Sequence, residues 1–203
     1  MRRIGLFLGA LALSIPATAN AATVTFEDQA AFRCDLSGSG ASGGMSYSYG
    51  FAACYYSPSN PADFPTPITS TVMASGYGAT SFALTGGGIF SLSTLDLAFG
   101  PFNHSGLASD TTLVTGTLSD GGTLTTTLTV GRGFQNYALN WGNLTSISFG
   151  QLQSSSEYLA FDNINYSTEG AVPEPGTWAM MIVGFGAIGA AARRRRSKKL
   201  ALA

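Results

Sequence analysis

Between residues 23 and 166 apolar and polar residues alternate over short stretches, and glycine, serine, asparagine and proline punctuate them. Leu124, Thr126, Leu128 and Val130 occupy every second position, as do Met45, Tyr47, Tyr49 and Phe51. One face of each run can therefore be buried while the other stays wet. A period of two reads as strand, and a helical period is nearly absent from this region. The pattern predicts strands over 23–26, 45–56, 69–75, 80–84, 89–99, 112–118, 122–130, 137–141, 144–149 and 158–166. Asp120-Gly121-Gly122 supplies a turn between two of them, because these residues tolerate positive φ. About ten strands at this spacing predict an all-β, two-sheet sandwich of jelly-roll type, with a single closed barrel as the alternative. Residues 37–44 (SGSGASGG) read as a flexible loop, and the four prolines within 57–67 keep that stretch out of a sheet interior.

The two ends follow different rules. Met1-Arg2-Arg3, an apolar run over 4–15, Pro16 and the small residues ending Ala19-Asn20-Ala21 have the order of a secretory signal peptide. The expected division is a signal peptide over 1–21, cut by signal peptidase after Ala21 or Ala22, and an exported domain over 22–166. A linker over 167–171 and a C-terminal segment over 172–196 follow. Within that segment residues 177–192 carry no charge. As a helix they would span roughly 24 Å, short of the hydrocarbon core but workable with Trp178 at one interface and arginines snorkelling at the other. Arg193, Arg194, Arg195 and Arg196 then mark the cytoplasmic side of a single transmembrane helix, with 197–203 as a cytoplasmic tail.

Eight of the ten basic residues sit in those terminal segments. Residues 22–172 hold only Arg33 and Arg132 against ten acidic side chains, so this part carries −8 and excludes nucleic acid as a bulk partner. Cys34 and Cys54 lie in the exported part, where an oxidising compartment predicts a disulfide between them.

The C-terminal segment resembles the PEP-CTERM sorting signal in its PEPxxWA form. Pro173-Glu174-Pro175, two spacer residues, Trp178-Ala179, an apolar helix and the arginine cluster occur in that order, followed by seven further residues beyond the simplest pattern. The resemblance implies a Gram-negative, exopolysaccharide-producing host. In it an exosortase, a membrane-embedded cysteine transpeptidase-like enzyme, would cut near the motif while the chain is held in the inner membrane, and the protein would end on the cell surface or secreted. Two prolines around Glu174 hold an extended segment that completes neither helix nor sheet, which leaves its backbone open to such an enzyme. The exported domain resembles the jelly rolls of carbohydrate-binding modules, through Thr23-Val24-Thr25-Phe26-Glu27-Asp28 and Leu159-Ala160-Phe161-Asp162-Asn163-Ile164. That likeness implies a structural calcium where first and last strands meet, held by Glu27, Asp28, Asp162 and Asn163; no other cofactor is expected.

Catalysis finds little in this sequence. His104 is the one histidine and sits in a Gly-Pro-Asn loop. Gly40-Ala41-Ser42-Gly43-Gly44 matches G-x-S-x-G, yet a nucleophile elbow needs a strand before it and a helix after it. Asp96, Asp110, Asp120 and Glu157 include no pair singled out by spacing. The expectation is a non-enzymatic surface or matrix protein associated with exopolysaccharide or biofilm, using some of Tyr47, Tyr49, Tyr55, Tyr56 and Tyr77 to stack on sugar rings and burying the others. A secreted glycan-acting hydrolase is the alternative. The threonine-rich stretch 123–129 adds an ice-binding alternative, against which no repeat of fixed period is found.

Overall fold

The computed structural model describes residues 20–30, 33–36, 38–59, 64, 67–99, 106–154, 157–168 and 183–188. Its strands are β1 (Asn20–Val24), β2 (Arg33–Asp35), β3 (Ser39–Ser42), β4 (Met45–Ser48), β5 (Ala52–Tyr56) and β6 (Val72–Gly76). They continue with β7 (Thr80–Leu84), β8 (Phe90–Phe99), β9 (Ser109–Leu118), β10 (Thr123–Gly131), β11 (Gln135–Phe149) and β12 (Leu159–Thr168). Residues 19–169 form one compact unit; in the other unit, made of 1–18 and 170–203, residues 183–188 are helical.

All the strand pairs are antiparallel, and β11 explains the architecture. Its first part, Gln135 to Leu144, pairs with β8, while its last part pairs with β7 on one side and β9 on the other. A single strand thus belongs to two sheets. The first runs β2-β5-β6-β12-β8-β11, with β1 beside the far half of β12; the second runs β3-β4-β7-β11-β9-β10. The handover needs a bend, and register shifts at 138/141 and 141/144 provide it. Asn140 and Asn143 occupy left-handed backbone at φ 53° and 59°, which asparagine tolerates better than most residues. The predicted break between 141 and 144 is therefore a bulged, continuous strand.

The core lies between the two sheets. Phe161 of β12 packs against Phe82 of β7 and Phe149 of β11 at ring separations of 5.2 and 5.1 Å, both edge to face. Leu92, Leu95, Leu97 and Phe99 of β8 are fully buried in the same cluster. A smaller cluster lies on the outer side of the first sheet, where Ile68, Phe64 and Phe134 cover Cys54, Ala74, Ala98 and Ala160. That covering explains why five successive residues of β5 are all buried.

Three expectations need correcting. The single strand predicted over 45–56 is two, β4 and β5, parted at Tyr49-Gly50-Phe51 and lying in different sheets. A Cβ on Gly50 would lie 2.4 Å from the Tyr77 carbonyl oxygen, so this turn is pressed against the next one. The stretch predicted as a flexible loop contains β3, whose pairing with β4 from Ser39↔Ser48 to Ser42↔Met45 overrides its glycine-rich composition. β2 was not anticipated at all; the predicted disulfide is its staple, with Cys34 and Cys54 as cross-strand partners 4.0 Å apart at Cα.

Candidate functional site

Of the five tyrosines offered as sugar platforms, four are interior. Tyr47, Tyr49, Tyr55 and Tyr56 are at most 5% exposed, the first three in the main core and Tyr56 in the outer cluster. They are load in the core and no sugar can reach them. Tyr77 is 52% exposed and has company the sequence did not signal. It forms an edge-to-face pair with Phe51, 56% exposed, at 5.7 Å and another with Tyr158 at 5.8 Å. The three rings come from the β4–β5 turn, the β6–β7 turn and the approach to β12. Gly76 makes room for the Tyr158 ring, which would stand 2.2 Å from a Cβ there. Tyr77 itself sits at φ 57°, left-handed backbone that a bulky side chain rarely adopts. Beside Tyr77 a cavity of about 10 Å³ is lined by Tyr77, Gly78 and the buried Glu157.

A second polar site lies on the outer face of the first sheet. Asp162 of β12 and Asp96 of β8 are cross-strand partners, and Asn136 of β11 partners Asp96 on its other side. A bulge between Asp162 and Asn165, with Asn163 at φ 46°, turns the Asn163 amide to donate to Asp96 at 2.9 Å. Asn136 donates to the other Asp96 oxygen at 2.7 Å. Asp162 accepts from the Ser70 hydroxyl and from the Asn163 backbone N–H. Burial pushes its carboxyl up to about 6, against the pull of those hydrogen bonds and with help from the neighbouring Asp96 and Glu27 charges. Asp96, Asp162, Asn163 and Ser70, together with Ile68, Val72 and Phe134, line a hollow of about 100 Å³. Along the same strands an open groove of about 460 Å³ continues past Thr94, Asn165 and Thr23.

The expected calcium ligands meet only in part. β1 does pair with β12, as the family likeness required. Glu27, however, gives its two oxygens to the Thr71 N–H and hydroxyl, at 2.7 and 3.0 Å, and Asp28 turns away to accept from Ser42 at 2.6 Å. Among the described residues no three histidine, cysteine or carboxylate side chains are arranged to hold a metal ion. Calcium needs six to eight oxygens, and in this structure the oxygens of Glu27, Asp28 and Asp162 accept hydrogen bonds from within the protein.

Nor do the other acids assemble. Asp110 accepts the Thr111 and Ser154 backbone amides, and Asp120 caps its turn through the Gly122 N–H at 2.8 Å. Ser42 ends a strand and is followed by Gly43 and Gly44 at positive φ, so the G-x-S-x-G string is a turn and no nucleophile elbow. His104, the predicted signal peptide up to residue 19, and the sorting residues Pro173, Glu174, Pro175, Trp178, Ala179 and Arg193 to Arg196 lie outside the described residues. The described helix, 183–188, falls within the predicted transmembrane segment; no helix among the described residues is long and apolar enough to cross a membrane.

Residues 171–196 match the PEP-CTERM protein-sorting motif. That motif implies export and processing by an exosortase at the membrane of a Gram-negative bacterium. No curated protein matches the chain. Among solved structures it is similar to a family 29 carbohydrate-binding module mutant complexed with mannohexaose, at 13% identity and a TM-score of 0.39 over 74% of this chain and 93% of that one. It is also similar to the K2 cleaved adhesin domain of Lys-gingipain, at 13% identity and a TM-score of 0.45 over 72% of this chain and 97% of that one.

Proposed function

We propose that this chain is an exosortase-sorted surface or matrix protein whose β-sandwich binds glycan without cleaving it, through the ring platform of Phe51, Tyr77 and Tyr158. The observation that carries this reading is Tyr77. A half-exposed aromatic at φ 57° costs on the order of 1–3 kcal/mol of backbone strain, and its exposed ring recovers little by burial. A pyranose offers an apolar face that such a ring can cover, and the edge-on Phe51 and Tyr158 fix its tilt. Signal peptidase removes 1–21, the apolar segment 177–192 holds the chain in the inner membrane, and exosortase acts at Pro173-Glu174-Pro175. The released or transferred domain then meets exopolysaccharide outside the cell.

A hydrolytic reading has one observation in its favour, the adjacent Asp96 and Asp162 with one carboxyl raised towards neutrality. Their oxygens are already engaged by Asn136, Asn163 and Ser70, which suits holding a shape better than passing a proton. The full chain, screened on a glycan array and a panel of glycosides, is expected to bind without releasing sugar. Tyr77→Ala should abolish binding and leave the melting temperature in place. Product release would establish the hydrolase, and a wild-type chain that binds nothing would end the glycan reading.

A further inference from the structure

The outer face of the second sheet is built mainly from hydroxyl side chains. Direct cross-strand partners share a face, and the register pairs Thr123 with Thr117, Thr125 with Thr115, Thr127 with Leu113 and Thr129 with Thr111. Seven of these eight outward positions on β9 and β10 are therefore threonine. The rows extend sideways, since Thr115 partners Ser148 and Thr117 partners Ser146 on β11. Ser148 continues to Ser81, Ser48 and Ser39 on β7, β4 and β3. Neighbouring columns stand about 4.8 Å apart and successive side chains in a column about 7 Å apart, as strand geometry requires. The result is a two-dimensional hydroxyl lattice whose period comes from sheet register and is invisible as a sequence repeat.

Two further properties narrow its ligand. None of the positions in these rows is charged, aromatic or an amide, within an exported region that carries −8. Hydroxyls on the first sheet are spent internally: Thr23 donates to Asn165, Asn165 donates to Thr94, and Ser93 donates to the Asn165 carbonyl. Among the described residues the hydroxyls of the seven threonines on β9 and β10 make no hydrogen bond to the protein, whereas Ser39, at the far end of the serine row, has a partner. Threonine is stiff at χ1, so each methyl and hydroxyl is held at a fixed place. A flexible sugar chain is normally met by rings, carboxylates and amides, which this face lacks. A rigid, neutral, periodic array of water asks for what the face offers, spaced hydroxyls with small apolar groups between them.

We infer that the outer face of β9 and β10, extended by Ser146 and Ser148 of β11, is an ice-binding surface. The test uses the full chain and ice itself. A chain solution is frozen slowly onto a seeded ice hemisphere, and the protein in the ice is compared with that left in the liquid. Wild type is expected in the ice at its solution proportion, with growing crystals faceted. Thr115→Lys/Thr125→Lys should cut incorporation by about tenfold or more, because an ammonium has to shed its water to meet the lattice. If that pair lowers the melting temperature, Thr115→Asn/Thr125→Asn provides a neutral replacement that breaks the spacing, and it should show the same loss. Exclusion of the wild type from ice, or equal incorporation of either folded variant, overturns the assignment. Retention on an insoluble neutral polysaccharide, lost in the lysine variant while ice excludes the wild type, overturns it in favour of a glycan. None of Phe51, Tyr77 and Tyr158 is a member of these cross-strand rows, so Tyr77→Ala separates the two surfaces by leaving ice incorporation unchanged.

Discussion

Tyr47 of β4 and Tyr55 of β5 join their hydroxyls at 2.7 Å across the interior, one residue from each sheet. Burial raises both phenols, and with Tyr47 above its usual range each stays neutral and one donates to the other. Either Tyr→Phe change leaves the partner hydroxyl buried without this bond, at a cost of about 1–3 kcal/mol. The double change Tyr47→Phe/Tyr55→Phe should cost less than the two singles combined, because no orphan remains. Urea unfolding of all four proteins gives the coupling; strict additivity would mean the bond adds nothing.

The same two residues show how far sequence reading reaches. The alternation of Met45, Tyr47 and Tyr49 correctly marks an inward face, yet it could not show that Phe51 falls beyond the end of that strand, where the chain turns with Gly50 pressed against the Tyr77 backbone. Cys54, Tyr55 and Tyr56 are successive and all buried because a separate loop covers the outer side of the sheet, which no local period encodes. The Asp96–Asp162 pairing joins residues 66 positions apart through a strand register, and β3 owes its existence to β4. Long-range partners made these choices. The sorting motif, by contrast, is contiguous and was readable in full.

Tyr77 offers a trade between stability and binding. Asparagine is far more at ease at φ 57° than tyrosine, so Tyr77→Asn should leave stability unchanged or raise it by up to about 1 kcal/mol while glycan binding is lost. Thermal melts and array binding of the one variant measure both. A fall of several degrees would assign the three rings to structure.

Asp162 sets a pH dependence of definite sign. Its carboxyl is raised from 3.8 to about 6 on folding, so the folded state holds the proton more tightly. The contribution is fully present below pH 3.8 and is lost as pH rises through 6, at most about 3 kcal/mol for this buried group. Asp162→Asn, neutral throughout, should flatten that part of the profile and be relatively more stable than wild type at pH 7 than at pH 4. Melting temperatures of both proteins across pH 3.5–7.5 decide it; parallel curves would show that the carboxyl is not perturbed.

Processing of the tail is open to a direct mass measurement. In cells with an active exosortase the mature chain should lack the residues beyond the Pro173-Glu174-Pro175 region, and Glu174→Ala should leave the tail on and the protein in the membrane fraction. An intact tail on wild-type protein in such cells would make the anchor permanent.

The disulfide gives the last test, because its effect should be local before it is global. β2 is three residues long, pairs only with β5 among the described strands, and stands at the outer edge of its sheet. Its side chains are mostly exposed, so little apolar burial holds it once the covalent link is cut. Closing a loop of about 20 residues stabilises a chain by roughly 3 kcal/mol in the entropy model, a large part of ordinary domain stability. Reduction, or Cys34→Ser/Cys54→Ser, should therefore lower the melting temperature by several degrees while the fold persists. Hydrogen exchange should locate the loss: amides of β2 and its partner β5 open first, while β8 and β12, paired along most of their length through the centre of the sheet, keep their protection. If β8 and β12 lose protection together with β2, the link holds the whole sandwich and not its edge.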